Sequence, residues 1–222
     1  MLGKALLSLV ILGVVMGALL FGPAGTLAWW QAWVLLAVYM VCGLIITLAL
    51  ARRDPALLQR RLKGGPTAEK RPRQQVIMGF ASIGFTSLLV VPALDRRYGW
   101  SHVSAPLALL GNALVALGFY LVWRVYRVNT FTSATIELAE DQHVISTGPY
   151  ARVRHPMYAG ALVYVLGMPL ALASWWGFLG VAFMLPFLIW RLLDEERFLA
   201  RNLPGYSEYQ RKVKWRLLPH VW

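Results

Sequence analysis

The chain has 222 residues, 58% of them hydrophobic and 14% charged, with a formal net charge of +12. That apolar fraction exceeds the roughly 45–50% of ordinary globular chains and excludes a soluble domain of usual composition. A basic excess can signal nucleic acid, but here the charges sit between long apolar runs, so they report membrane topology and contact with anionic lipid heads instead.

In chain order the apolar spans fall at about 5–21, 28–50, 75–94, 105–123, 157–173 and 175–193, each near the length that crosses a bilayer. The expected fold is all-α, a polytopic membrane protein of about six transmembrane helices forming one integral membrane domain over 1–222. With the N-terminus inside, every Lys and Arg except Arg96 and Arg97 falls on the cytoplasmic side, as the positive-inside rule requires. Both termini are then cytoplasmic. The first span, preceded by Lys4 and followed by a weak "TLA" cleavage site, reads as a membrane helix rather than a signal peptide.

"GVVMG" at 13–17 is a GxxxG pattern, read as a tolerated pair of glycines. Trp29, Trp30 and Trp33 open the second span and Trp175 and Trp176 mark the last turn, positions suited to indoles at headgroup level. Cys42 is the only cysteine, which rules out an intrachain disulfide and a Cys-based metal site. "ARRDPALLQRRLKGGPTAEKRPR" (51–73) mixes leucines with cations and reads as a segment lying on the membrane, or as a solvated linker. The long connection 127–156 is too apolar for disorder and is expected to fold back on the helices.

Polar groups gather on the inner side. The connection ends in "GPYARVRHPMY", and the last span ends in "WRLLDEERFLARNLPGYSEYQ". Arg191 and Glu195, four apart, share a helical face, and charged groups at the edge of a membrane bundle are functional candidates. An intrahelical Arg191–Glu195 ion pair, a His155-Pro156 helix start, and Arg152 and Arg154 as lipid-head anchors are the structural alternatives. There is no HExxH, CxxC, P-loop, GxSxG or GxGxxG, and the four histidines are scattered, so metal is not expected.

"NTFTSATIELAEDQHVISTGPYARVRHPMYAG", then two apolar helices, then "RLLDEERFLARNLPGYSEYQRKV", strongly resembles the isoprenylcysteine carboxyl methyltransferase family, which is grouped with phospholipid N-methyltransferases. The resemblance covers roughly 120–218, so residues 1–126 are N-terminal helices of unassigned role and 127–222 the catalytic core. It implies an integral membrane enzyme using S-adenosylmethionine, held by a cytosolic loop, the last helical hairpin and the C-terminal tail. Cofactor contacts are implied at Gln142, His143, Val144, Ile145, Tyr150, His155, Pro156, Met157, Tyr158 and Glu195, and a substrate-contacting, catalytic role at Arg191. Eukaryotic members usually carry His where Gln142 stands. The expected partners are the lipid bilayer and a lipophilic acceptor, with no nucleic acid. A prenylcysteine-like carboxylate is the first acceptor; a phosphatidylethanolamine amine or a small thiol is the alternative. Sterol reductases binding a nicotinamide cofactor, and a non-catalytic scaffold or lipid-binding protein, complete the set.

Overall fold

The computed structural model describes residues 1–62, 64, 68–69, 71–139 and 141–222. Lys63, residues 65–67 and Lys70 of the expected interfacial segment, and Glu140 of the long connection, lie outside the described residues. The described residues form helices and no strand: α1 (Leu2–Ala24), α2 (Trp30–Arg53), α3 (Pro55–Leu62), α4 (Pro72–Tyr98), α5 (Ala105–Tyr126), α6 (Pro156–Ala171), α7 (Phe178–Asn202) and α8 (Tyr206–Lys212). A 3-10 turn, Gly148–Ala151, precedes α6.

All six apolar spans become helices. Four of them, α1, α2, α4 and α5, are long and apolar enough to cross a membrane by length and composition. The fifth, α6, is apolar but has 16 residues, and α7 has 25, its last turns charged. Leu7, Val10, Ile11 and Val14 on α1 and Val41 and Ile45 on α2 are exposed. Such an outward apolar surface fits lipid as the surrounding solvent. The chain is an integral membrane protein.

The bundle pairs α5 with α6 and α4 with α7, while α1 packs on α2 and α4. Its core centres on Met16, Leu20, Leu35, Leu88, Leu89 and Met168. The tightest seam runs between α5 and α6. A Cβ added at Gly118 would stand 2.6 Å from the Tyr164 backbone nitrogen, and one at Gly111 would overlap the backbone of Leu170 and Ala171. Close backbone approach of this kind drives helix association where lipid removes the hydrophobic difference. The expected GxxxG pair behaves differently: Gly13 faces Met40, whereas Gly17 has nothing within 4 Å. Gly118→Val is therefore expected to cost more than about 3 kcal/mol, because the obstructing atoms are backbone. Gly17→Val should leave the melting temperature in detergent unchanged. Comparing the two melts checks the seam.

Two sequence expectations are corrected here. Trp29 is 1% exposed and meets Phe21 edge-on at 6.4 Å, so it belongs to the core; Trp30, Trp33, Trp175 and Trp176 are exposed as expected. Second, α3 turns two of its three leucines inward and leaves only Leu62 exposed. Asp54 caps it by accepting the Leu57 N–H at 2.8 Å, with Pro55 in the first turn. Leu57 and Leu58 are then buried against Ala5, Leu50 and Tyr126. Arg60 and Arg61 donate to the carbonyls of Thr130 and Ser133, which ties α3 to the long connection. That connection folds back on the helices as expected.

Candidate active site

Three consecutive carboxylates at the end of α7 organise the inner end of the bundle. Successive residues on an α-helix are about 100° apart, so Asp194, Glu195 and Glu196 face three different neighbours. Asp194 is buried and turns to α4, accepting from Gln74 at 2.5 Å and pairing with Arg71 at 3.1 Å. Glu195 accepts the Tyr158 hydroxyl of α6 at 2.6 Å. Glu196 is buried and turns to the tail, where Arg154 at 2.6 Å and His155 Nε2 at 3.2 Å share one oxygen and Arg216 reaches the other at 3.0 Å.

The Glu196 cluster locks the C-terminal tail. Arg154 Nη1 also donates to the carbonyls of Val213 and Lys214, and the amides of Arg154 and His155 donate to Trp215 and Arg216. Burial opposes ionisation of Glu196, but hydrogen bonds from His155 and Arg154, with Arg216 beyond them, hold its carboxyl at about 2. Arg154 is therefore a buried clamp and not a lipid-head anchor.

Arg191 has partners other than the expected one. Its Nε donates to the Tyr158 hydroxyl at 3.2 Å and its Nη1 to Gln74 at 2.8 Å, while Nη1 also forms an ion pair with the Glu69 carboxylate at 2.8 Å. Its Nη2 donates to the Ala134 carbonyl at 3.0 Å. The Tyr158 hydroxyl touches both Arg191 and Glu195, and an intrahelical ion pair of those two is not made. Nη2 keeps a second N–H beyond its bond to Ala134. Gln74 and Glu69 were not singled out from the sequence. The signals were present: a lone carboxylate in a basic segment, and a glutamine at the foot of an apolar helix.

Of these groups, Arg154, His155, Tyr158, Arg191 and Glu195 line one cavity of about 510 Å3, within the roughly 300–1,000 Å3 of small-molecule sites. Every residue named from the resemblance lines it except Pro156. Pro156 stands at the first position of α6 with His155 as N-cap, where its fixed φ starts the helix that carries Tyr158. At the polar end are Tyr150, Glu195, Tyr206 and the 142–145 segment. Gln142 closes its own turn, its side-chain oxygen accepting the Ala139 N–H. Burial raises the Tyr150, Tyr206 and Tyr209 hydroxyl pKa values well above the ordinary one, so all three stay protonated. The Tyr209 hydroxyl donates to the Tyr150 carbonyl, while the Tyr206 hydroxyl is buried without a hydrogen-bond partner among the described residues. The other end is apolar and intramembrane, walled by Ile77, Met78, Phe119, Met184 and Phe187. The N-terminal half thus builds part of the site, through α2, α4 and α5.

A family model described as phospholipid methyltransferase matches residues 107–204. Among curated proteins, probable protein-S-isoprenylcysteine O-methyltransferases of Oryza sativa subspecies indica and japonica are each 31% identical over 61% of this chain and 71% of their own length. A Delta(14)-sterol reductase of Mus musculus is 28% identical over 53% of this chain and 31% of its own length. The rice match spans most of both chains, and the phospholipid methyltransferase region carries the helical hairpin and the carboxylates of the cavity. The chain is an integral membrane methyltransferase and belongs to the isoprenylcysteine carboxyl methyltransferase family.

Proposed function

We propose that the chain binds S-adenosylmethionine at the polar end of this cavity and methylates a lipophilic carboxylate that enters through the apolar end, a prenylcysteine-like acceptor first. The observation that carries this reading is the junction of two chemistries in one cavity, with Arg191 and Tyr158 between the carboxylate end and the apolar walls. The charge bias supports a cytoplasmic position for the polar end.

The residues fit such a cofactor. Glu195 supplies a carboxylate for an amino group or ribose hydroxyls, and Tyr206 supplies a buried hydroxyl that lacks a partner. His143, Val144 and Ile145 offer backbone groups, and Tyr150 and Met157 offer apolar surface, without a Rossmann fold. When bound, the cofactor supplies an electrophilic methyl group on a sulfonium. The protein's own task is then positioning. Arg191 offers its remaining Nη2 N–H to an acceptor carboxylate, a single contact rather than a bidentate fork, while Glu69 and Gln74 fix the guanidinium.

An acceptor carboxylate is ionised near neutral pH and needs no base. An ammonium acceptor would need one. Here His155 Nε2 is committed to Glu196, and Glu195 is assigned to the cofactor, which favours the carboxylate over the amine.

Two experiments test this. Membranes containing the chain, given radiolabelled methyl donor with farnesylcysteine or phosphatidylethanolamine, should place the label in an ester that alkali releases as methanol. Alkali-stable label in the phospholipid would replace the acceptor assigned here. Tyr206→Phe should weaken S-adenosylhomocysteine binding by about five-fold in calorimetry while leaving the ligand-free protein equally or more stable, because the hydroxyl it removes has no internal partner. Unchanged affinity would remove Tyr206 from the cofactor site.

A further inference from the structure

A second cavity of about 330 Å3 lies outside the proposed active site, between the start of α4 and the end of α7. Arg71, Arg73, Arg197 and Arg201 converge on it, with Phe198 on its wall and Asp194 as its one carboxylate. The neighbouring acids are committed elsewhere, Glu195 to Tyr158 and Glu196 to Arg154 and Arg216. Four guanidinium groups against one carboxylate leave a strong positive excess. Arg71 and Arg73 share Asp194, at 3.1 and 3.4 Å. Arg197 and Arg201 are exposed and make no ion pair among the described residues. Arg71 Nη1 is buried, 3.1 Å from Asp194, yet has no acceptor in hydrogen-bond alignment among the described residues. The Arg71 guanidinium also stacks over the Phe198 ring at 5.2 Å, which holds its plane in the cleft.

Depth narrows the ligand. The apolar stretch of α7 ends near 193, so Arg197 and Arg201 stand about 6 and 12 Å farther along the helix axis. Helix side chains lean toward the N-terminus, here back toward the bilayer. The headgroup layer extends roughly 5–8 Å beyond the hydrocarbon on each side, so the cleft opens at the level of lipid phosphates. Guanidinium forks match phosphate oxygens in pairs.

We propose that this cleft binds the phosphate of an anionic phospholipid, distinct from any methyl acceptor in the larger cavity. The test uses the full chain in neutral detergent micelles, titrated with phosphatidylglycerol, phosphatidylcholine or sodium phosphate and read by native mass spectrometry. The expected result is retention of phosphatidylglycerol over phosphatidylcholine. Arg197→Gln with Arg201→Gln should weaken that retention by about ten-fold or more. Arg52→Gln with Arg53→Gln, which removes the same charge at exposed positions on α2, should change it by less than about two-fold. Three outcomes overturn the proposal: no preference for phosphatidylglycerol, equal weakening by both pairs, or displacement of the lipid by equimolar sodium phosphate, which would mark a soluble-phosphate site. Should the double variant fold poorly, Arg201→Gln alone carries the same comparison.

Discussion

Arg191→Ala is expected to lower kcat/KM for the lipophilic acceptor by about 10²–10³-fold, the usual effect of losing an aligned donor to a reacting oxygen. Affinity for S-adenosylhomocysteine should shift far less, because Arg191 is assigned to the acceptor and makes none of the contacts proposed for the cofactor. The same substitution also leaves the Glu69 carboxylate, 1% exposed, without its cation. An uncompensated buried charge costs about 3–5 kcal/mol, so lost stability could masquerade as lost catalysis. Glu69→Gln added to Arg191→Gln separates the two, since it removes the orphaned charge. Stability should return and turnover should not. If both return together in the double variant, Arg191 is a structural tie between α7, Glu69 and the Ala134 loop, and the acceptor is held by something else.

The largest expected effect on folding is at Glu196. Glu196→Ala strands Arg154 and His155, both buried, and should cost about 3–5 kcal/mol. The tail from α8 to Trp222 should then become accessible to protease before the bundle melts. The pH dependence follows from the direction of the shift. The folded-state pKa of Glu196, about 2, lies below its ordinary value of 4.5. Its contribution is therefore fully present above about pH 4.5 and is lost as pH falls toward 2. Melting temperatures of the native chain minus those of Glu196→Gln, taken from pH 6 to 2, should converge across that window. A constant difference would mean that the tail is held by backbone bonds rather than by the carboxylate.

Much of the architecture was legible because membrane helices announce themselves through length and apolarity. The apolar helices, the Trp175–Trp176 turn and the folded-back 127–156 connection all follow from the chain read in order. Where burial overruled local pattern, the reading failed. Trp29 and Trp30 are adjacent in sequence, but Trp29, the N-cap of α2, is buried against Phe21 while Trp30 is exposed. The GxxxG motif was visible and of little consequence, whereas Gly111 and Gly118, seven apart, set the α5–α6 seam.

The inner chemistry divides the same way. Sequence alone determined which residue types gather at one end of the bundle and that the polar motifs flank the same hairpin, because both are properties of order along the chain. Tertiary structure decided which carboxylate meets which cation. Asp194, Glu195 and Glu196 are adjacent and chemically alike; the helical rotation between them sends one to Arg71 and Gln74, one to Tyr158 and one to Arg154. Likewise Arg191 has Glu195 four residues away and takes Glu69 instead, 122 positions distant. Spacing names the possible partners, and only packing selects among them, since a buried guanidinium pairs with whatever carboxylate the neighbouring backbone brings within reach.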